Sequence, residues 1–138
     1  MNLVRDAMIS DPRSLPATAS AQEAGEILAP PEVRAVYIVD ETGVLTGVVT
    51  RKTLVTKVVA AGRDPRTTPV GELVEAPYYT IEAETPLDAA FHFLEEHDAE
   101  RVPVVEGGRL VGVLSRSVLQ RRLAEDDEPA DDPDAPSV

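Results

Sequence analysis

Two stretches of this chain have the residue types and spacing to hold an anion. They read GVVTRKTL at Gly47–Leu54 and GVLSRSVL at Gly112–Leu119. Each is a glycine, two apolar residues, a hydroxyl residue, an arginine, two variable residues and a leucine. The pattern predicts a short buried strand running straight into a helix, with Thr50 or Ser115 as the N-cap. Free N–H groups at a helix start, a hydroxyl and an adjacent guanidinium are groups that bind phosphate. Thr50, Arg51, Ser115 and Arg116 are therefore candidate ligand contacts. A cation in a first helical turn is otherwise mildly unfavourable, which points to a ligand or an acidic partner. A solvated surface arginine is the plain alternative.

The elements that must position these turns also occur twice. A shift of 66 residues places Val4 on Val70, Leu15 on Ile81, Leu28 on Leu94, and AVYIV (Ala35–Val39) on RVPVV (Arg101–Val105). One residue is lost in the second turn, after which Gly47 falls on Gly112. Each copy opens with a helical turn (VRDAM, VGELV) and a short extended segment. An amphipathic helix follows, begun in the first copy by a Ser20/Glu23 capping box and cut early by Pro30-Pro31. Two near-continuous Val/Ile/Leu strands then flank a glycine turn, and such runs predict burial on both faces. A last helix carries Leu54, Val55, Val58 and Val59 in one copy and Val118, Leu119 and Leu123 in the other. The expected organisation is a repeat over 1–62, a linker over 63–69, a second repeat over 70–124 and a disordered acidic tail over 125–138.

Composition narrows the function classes. The chain has 138 residues, no cysteine and a net charge of −12. Residues 125–138 hold seven of the acidic groups, which leaves 18 acidic and 13 basic residues on the body. An acidic body with two Phe and three Tyr argues against nucleic-acid binding. No apolar run suits a membrane helix and the N-terminus lacks a secretory pattern, so a soluble cytoplasmic protein is expected. Adjacent acidic pairs such as Glu95-Glu96 do not converge, and no nucleophile elbow, P-loop or dinucleotide fingerprint is present, so no enzyme is expected. His92 and His97 are five apart on one helix, off metal-ligand spacing, and read as surface residues. Tyr78-Tyr79 reads as core packing.

The twofold unit, with AVYIVDETGVLTGVVTR at Ala35–Arg51 and RVPVVEGGRLVGVLSR at Arg101–Arg116, resembles the cystathionine-β-synthase (CBS) domain pair over roughly residues 4–124. The resemblance implies an α/β (α+β) fold of two pseudo-symmetric repeats. Each is a small three-stranded sheet with flanking helices, and the two pack sheet to sheet. It also implies clefts that take AMP, ADP, ATP or a related adenosine ligand, no required cofactor, a homodimer, and a regulated partner protein that the sequence does not identify. In the family motif the hydroxyl faces phosphate and an Asp three residues on takes the ribose hydroxyls. Here the hydroxyls are Thr50 and Ser115, but the Asp positions hold Thr53 and Val118. The family proline just inside the strand is kept at Pro103 and replaced by Tyr37, which either lines the cleft or fills it. With Arg101 at the strand start, Tyr37, Pro103 and Thr53 complete the candidate contacts. The missing carboxylates leave open a second reading, a dimeric scaffold or interaction module with decayed ligand sites.

Overall fold

The computed structural model describes residues 2–77 and 79–127. Each repeat builds one sheet. In the first, β2 (Ser14–Pro16) runs parallel to β3 (Val36–Val39), and β3 pairs antiparallel with β4 (Leu45–Val49). In the second, β5 (Ile81–Glu82) runs parallel to β6 (Arg101–Glu106), and β6 pairs antiparallel with β7 (Arg109–Ser115). A fourth strand, β1 (Ile9–Ser10), joins the second sheet beside β7. The expected three-stranded sheet is thus a four-stranded one in that half. The continuous Val/Ile runs are buried as expected: Val36, Ile38, Val102 and Val104 are at most 1% exposed.

Helices pack on the sheets through the residues the spacing singles out. Helix α2 (Ala21–Leu28) starts at the Ser20 capping box: Ser20 Oγ accepts from the Glu23 N–H at 3.1 Å, and Glu23 Oε2 accepts from the Ser20 N–H at 2.7 Å. It ends ahead of Pro30-Pro31, whereas its counterpart α4 (Leu87–Glu96) runs two residues longer. Helix α5 (Arg116–Asp127) continues past the point where the tail was expected to begin, so residues 125–127 are helical. The rest of the expected tail, 128–138, lies outside the described residues.

The first copy's last helix departs from its sequence pattern. Helix α3 (Arg51–Leu54) widens into a π-helical stretch over Val55–Val59 before Gly62, at φ +69°, ends it. A wider turn rotates the apolar stripe out of register. Val58 stays buried, but Val55 and Val59 are 55% and 72% exposed.

The two opening turns pack on each other's repeat. Helix α1 (Val4–Ala7) places Val4 and Ala7 in the core of the second repeat with Leu87, Leu94 and Leu114. The equivalent turn, Val70–Glu72, places Val70 in the core of the first repeat with Leu28, Val36 and Ile38. The hydrogen bonds match across the pseudo-twofold axis. The Val4 N–H donates to the Thr85 carbonyl at 2.8 Å and the Val70 N–H to the Ala19 carbonyl at 2.7 Å; Arg5 to Ala83 is mirrored by Gly71 to Ala17. Each repeat's core is therefore completed by a segment from the other half of the sequence. Arg5 adds ion pairs to Glu84 and Glu106.

The hairpin tips complete the join. The Leu45 N–H donates to the Gly108 carbonyl at 3.1 Å, and the Leu110 N–H to the Gly43 carbonyl at 3.0 Å. The motif glycines exist for the exchanged segments. A Cβ at Gly47 would sit 2.6 Å from Val74 Cβ, and one at Gly112 2.9 Å from the Ile9 carbonyl oxygen. Gly47→Ala is therefore expected to destabilise the protein by about 1–3 kcal/mol, since well-packed backbone must shift. Gly25→Ala, inside α2 with only Leu54 Cδ1 at 3.7 Å, is expected to stabilise by about 0.5–1 kcal/mol through helix propensity. Urea unfolding of both variants checks the pair.

Candidate ligand-binding cleft

The two sheets and the segments that cross between the repeats enclose a cleft of about 790 Å³. Its walls include Tyr37 and Val48 from the first sheet and Pro103 and Val113 from the second. Under the repeat shift these are equivalent pairs, so the cleft lies across the pseudo-twofold axis. Three of the candidate residues, Tyr37, Arg101 and Pro103, come together here. Tyr37 is 6% exposed and forms part of a wall that leaves the cleft open. Burial pushes its phenol above the ordinary value of 10.0, partly opposed by the Arg101 charge. The hydroxyl is therefore a hydrogen-bond donor at neutral pH.

The helix-start residues lie elsewhere, and their polar groups are engaged within the chain. Thr50 Oγ1 accepts from the Thr53 N–H at 3.3 Å, and Thr53 Oγ1 accepts from the Thr50 N–H at 3.0 Å, a capping box with threonine at both ends. Thr53 is 1% exposed, and its hydroxyl donates to Glu75 Oε1 at 2.8 Å. Glu75 reaches it because its backbone pairs with Val48 in both directions, at 2.9 and 3.0 Å. The position where the family motif has an aspartate thus faces a carboxylate from the neighbouring segment. Ser115, 6% exposed, shares a hydrogen bond with Ser117 Oγ at 3.0 Å. Arg51 donates to the Pro30 carbonyl at 2.7 Å, and Arg116 pairs with Asp98 at 3.3 Å. Thr50, Arg51, Thr53, Ser115 and Arg116 are not among the residues that line the cleft.

Other lining residues had a different reading in sequence. Tyr79, expected in the core, is 36% exposed on the cleft, and Tyr78 lies outside the described residues. His97, expected as a plain surface residue, is half-buried against it, with ring centroids 4.3 Å apart and planes 31° from parallel. Phe93 backs both rings, 4.6 Å from His97 and 5.5 Å from Tyr79. His92 is exposed as expected. Arg13 and Arg34 also line the cleft. The only signal that finds them in sequence is their repeat partner: Arg13 corresponds to Tyr79 and Arg34 to Glu100. Among the described residues no group of three or more His, Asp or Glu could hold a metal ion. No helix among them is long and apolar enough to cross a membrane.

Comparison with known proteins finds one family in both repeats. Residues 4–60 and 70–125 each match the CBS domain. Hypoxic response protein 1 of Mycobacterium tuberculosis is 34% identical over 94 residues, 68% of this chain and 66% of that protein, so the match spans just under two thirds of the relative. A crystal structure of Hypoxic Response Protein I with two coordinated zinc ions superposes with a TM-score of 0.73 at 28% identity, covering 87% of this chain and 98% of that one. CBSX2, solved in complex with AMP, shares the fold at a TM-score of 0.73 and 24% identity, covering 93% of this chain and 100% of that one.

Thr53→Asp, the change that would recreate the family carboxylate, would place a carboxylate at a buried position beside that of the exposed Glu75. We expect it to cost about 2–4 kcal/mol in urea unfolding. Glu75→Gln on top of it should recover part of that loss. A Thr53→Asp protein as stable as the parent would show that the Thr53–Glu75 contact does not constrain this position.

Proposed function

The chain belongs to the CBS domain family, and from that premise we propose that it is a regulatory module that senses an adenosine-type ligand, such as AMP, ADP or ATP, in the cleft between its repeats. The observation that carries this reading is the cleft itself. At about 790 Å³ it is of a size that suits small organic ligands, and both repeats contribute to its walls. A ligand there touches both halves at once, so binding favours whichever arrangement of the halves fits it. AMP in the CBSX2 structure, and 5′-methylthioadenosine with S-adenosyl-L-methionine in another CBS pair of the same fold, support the ligand class.

In this reading Tyr37, Arg101 and Pro103 contact the ligand. Thr50, Arg51, Thr53, Ser115 and Arg116 serve chiefly to hold the strand-to-helix turns, and ribose recognition is weaker than the family motif provides. The same internal engagement of Thr53 and Ser115 favours the second reading, a dimeric scaffold without a nucleotide. The role is binding, not catalysis, and the output is a change in a partner protein.

The module is proposed to act as a homodimer. Val55 and Val59 stand exposed beside a groove of about 420 Å³ lined by Ala21, Gly25, Leu54 and Val58. Sedimentation of the parent at twice the monomer mass, and of Val59→Glu at the monomer mass, is the expected result. A parent that sediments as a monomer rules the dimer out.

The ligand test uses the chain's own spectrum. With no Trp and three Tyr, its absorbance is small, so co-purified adenine nucleotide would dominate near 260 nm. A ligand at 100 times its Kd adds about 2.7 kcal/mol to stability, an easily read rise in melting temperature. A clean spectrum and no shift with millimolar AMP, ADP, ATP or S-adenosylmethionine would leave only the scaffold.

A further inference from the structure

The cleft lining comes in repeat-equivalent pairs whose chemistry has diverged. Arg13 is matched by Tyr79, Arg34 by Glu100, and Tyr37 by Pro103, and all six line the cleft. A pocket with the same groups on both sides of a twofold axis would take two ligands, or one in two equivalent poses. This pocket offers different groups on its two sides.

Three arginines line the cleft together with Tyr37, two from the first repeat and Arg101 from the second. The Tyr37 N–H donates to the Arg13 carbonyl at 2.9 Å, which places Arg13 beside it at the sheet edge. Arg34 lies three residues ahead of Tyr37 at the entry to β3. The charge of Arg101, at the start of β6, is felt at the Tyr37 phenol. Among the described residues none of these three is in an ion pair, whereas Arg5, Arg63, Arg66 and Arg116 all are. Asp11, Glu32 and Glu100 share the rim without pairing with them, and Asp98 is held by Arg116. Guanidinium groups without ion-pair partners in a cleft that also offers a phenolic donor suit a phosphate or carboxylate.

The second repeat contributes Glu100 and Arg101 at the strand entry, and beyond them an aromatic and apolar face. Tyr79 stacks on His97, Phe93 supports both, and Pro103 and Val113 form the adjoining wall. An aromatic surface of this kind stacks a planar ring.

We propose that the cleft takes one ligand per chain in one orientation, with its anionic group at Arg13, Arg34, Arg101 and Tyr37 and its planar ring on the Tyr79–His97 face. This rests on the reading that the cleft binds an adenosine-type ligand, and it fixes how that ligand lies. It also puts the anion away from the helix starts at Thr50 and Ser115, which lie outside the cleft.

Isothermal titration with AMP and with adenosine tests the orientation on the parent, on an Arg13→Ala/Arg34→Ala variant and on Tyr79→Ala. All three side chains are exposed, and matching melting curves would show that the variants fold. The parent should bind one AMP per chain. The arginine variant should lose about tenfold or more in AMP affinity, the scale of a lost charge-assisted contact, with adenosine affinity unchanged. Tyr79→Ala should weaken both. Two AMP per chain, or an arginine variant that keeps the parent's preference for AMP over adenosine, would overturn the orientation and leave the adenosine reading standing. Failure of the parent to bind either probe at millimolar concentration would overturn both.

Discussion

The exchange of opening turns between the repeats is the constraint on which the rest of the structure depends. Val4 fills the second core and Val70 the first, each fully buried. Burying a valine contributes about 1.5–3 kcal/mol relative to leaving it exposed, so neither repeat has a complete core without the other's segment. The backbone bonds that fix the exchange occur in matched pairs, and so do those that join the hairpin tips at Gly43 and Gly108. The cleft is bounded by this frame. Its walls come from the two sheets and from the segments that cross between them.

The glycine that opens each motif takes its meaning from the same frame. In sequence Gly47 and Gly112 look like part of a phosphate-binding turn. In the fold they let the exchanged backbone approach, Val74-Glu75 at one and Met8-Ile9 at the other. That approach brings Glu75 to Thr53. Both turns thus serve as structural joints, with their hydroxyls bonded to neighbouring protein groups.

The repeat, the strands and the Ser20/Glu23 capping box were legible because each rests on a pattern in the chain itself: self-similarity at a fixed shift, continuous apolar runs and a cap three residues from its partner. The exchange was not. Val4 and Val70 announce that they are buried, but a hydrophobic residue carries no label for the core it enters. Tyr79, His97, Arg13 and Arg34 were missed as cleft residues for a related reason. They come from separate segments that meet only once the turns have crossed over. The exposure of Val55 and Val59 was not legible because helical spacing assumes 3.6 residues per turn, and the π-helical stretch breaks that assumption. The bond that engages Thr53 was not legible because its partner Glu75 is 22 residues away in sequence.

Matched bonds about a twofold axis are the grammar of an isologous dimer. Each half of this chain carries both surfaces of the exchange, a turn to give and a core to receive it. Two separate identical halves would meet in the same way; here residues 63–69 link them. An assembly of identical halves must place the same residue on both sides of its axis. Fusion removes that obligation, and Arg13 can then face a pocket whose opposite side carries Tyr79. On this view the link between the repeats does more than tether them: it permits the two halves to differ.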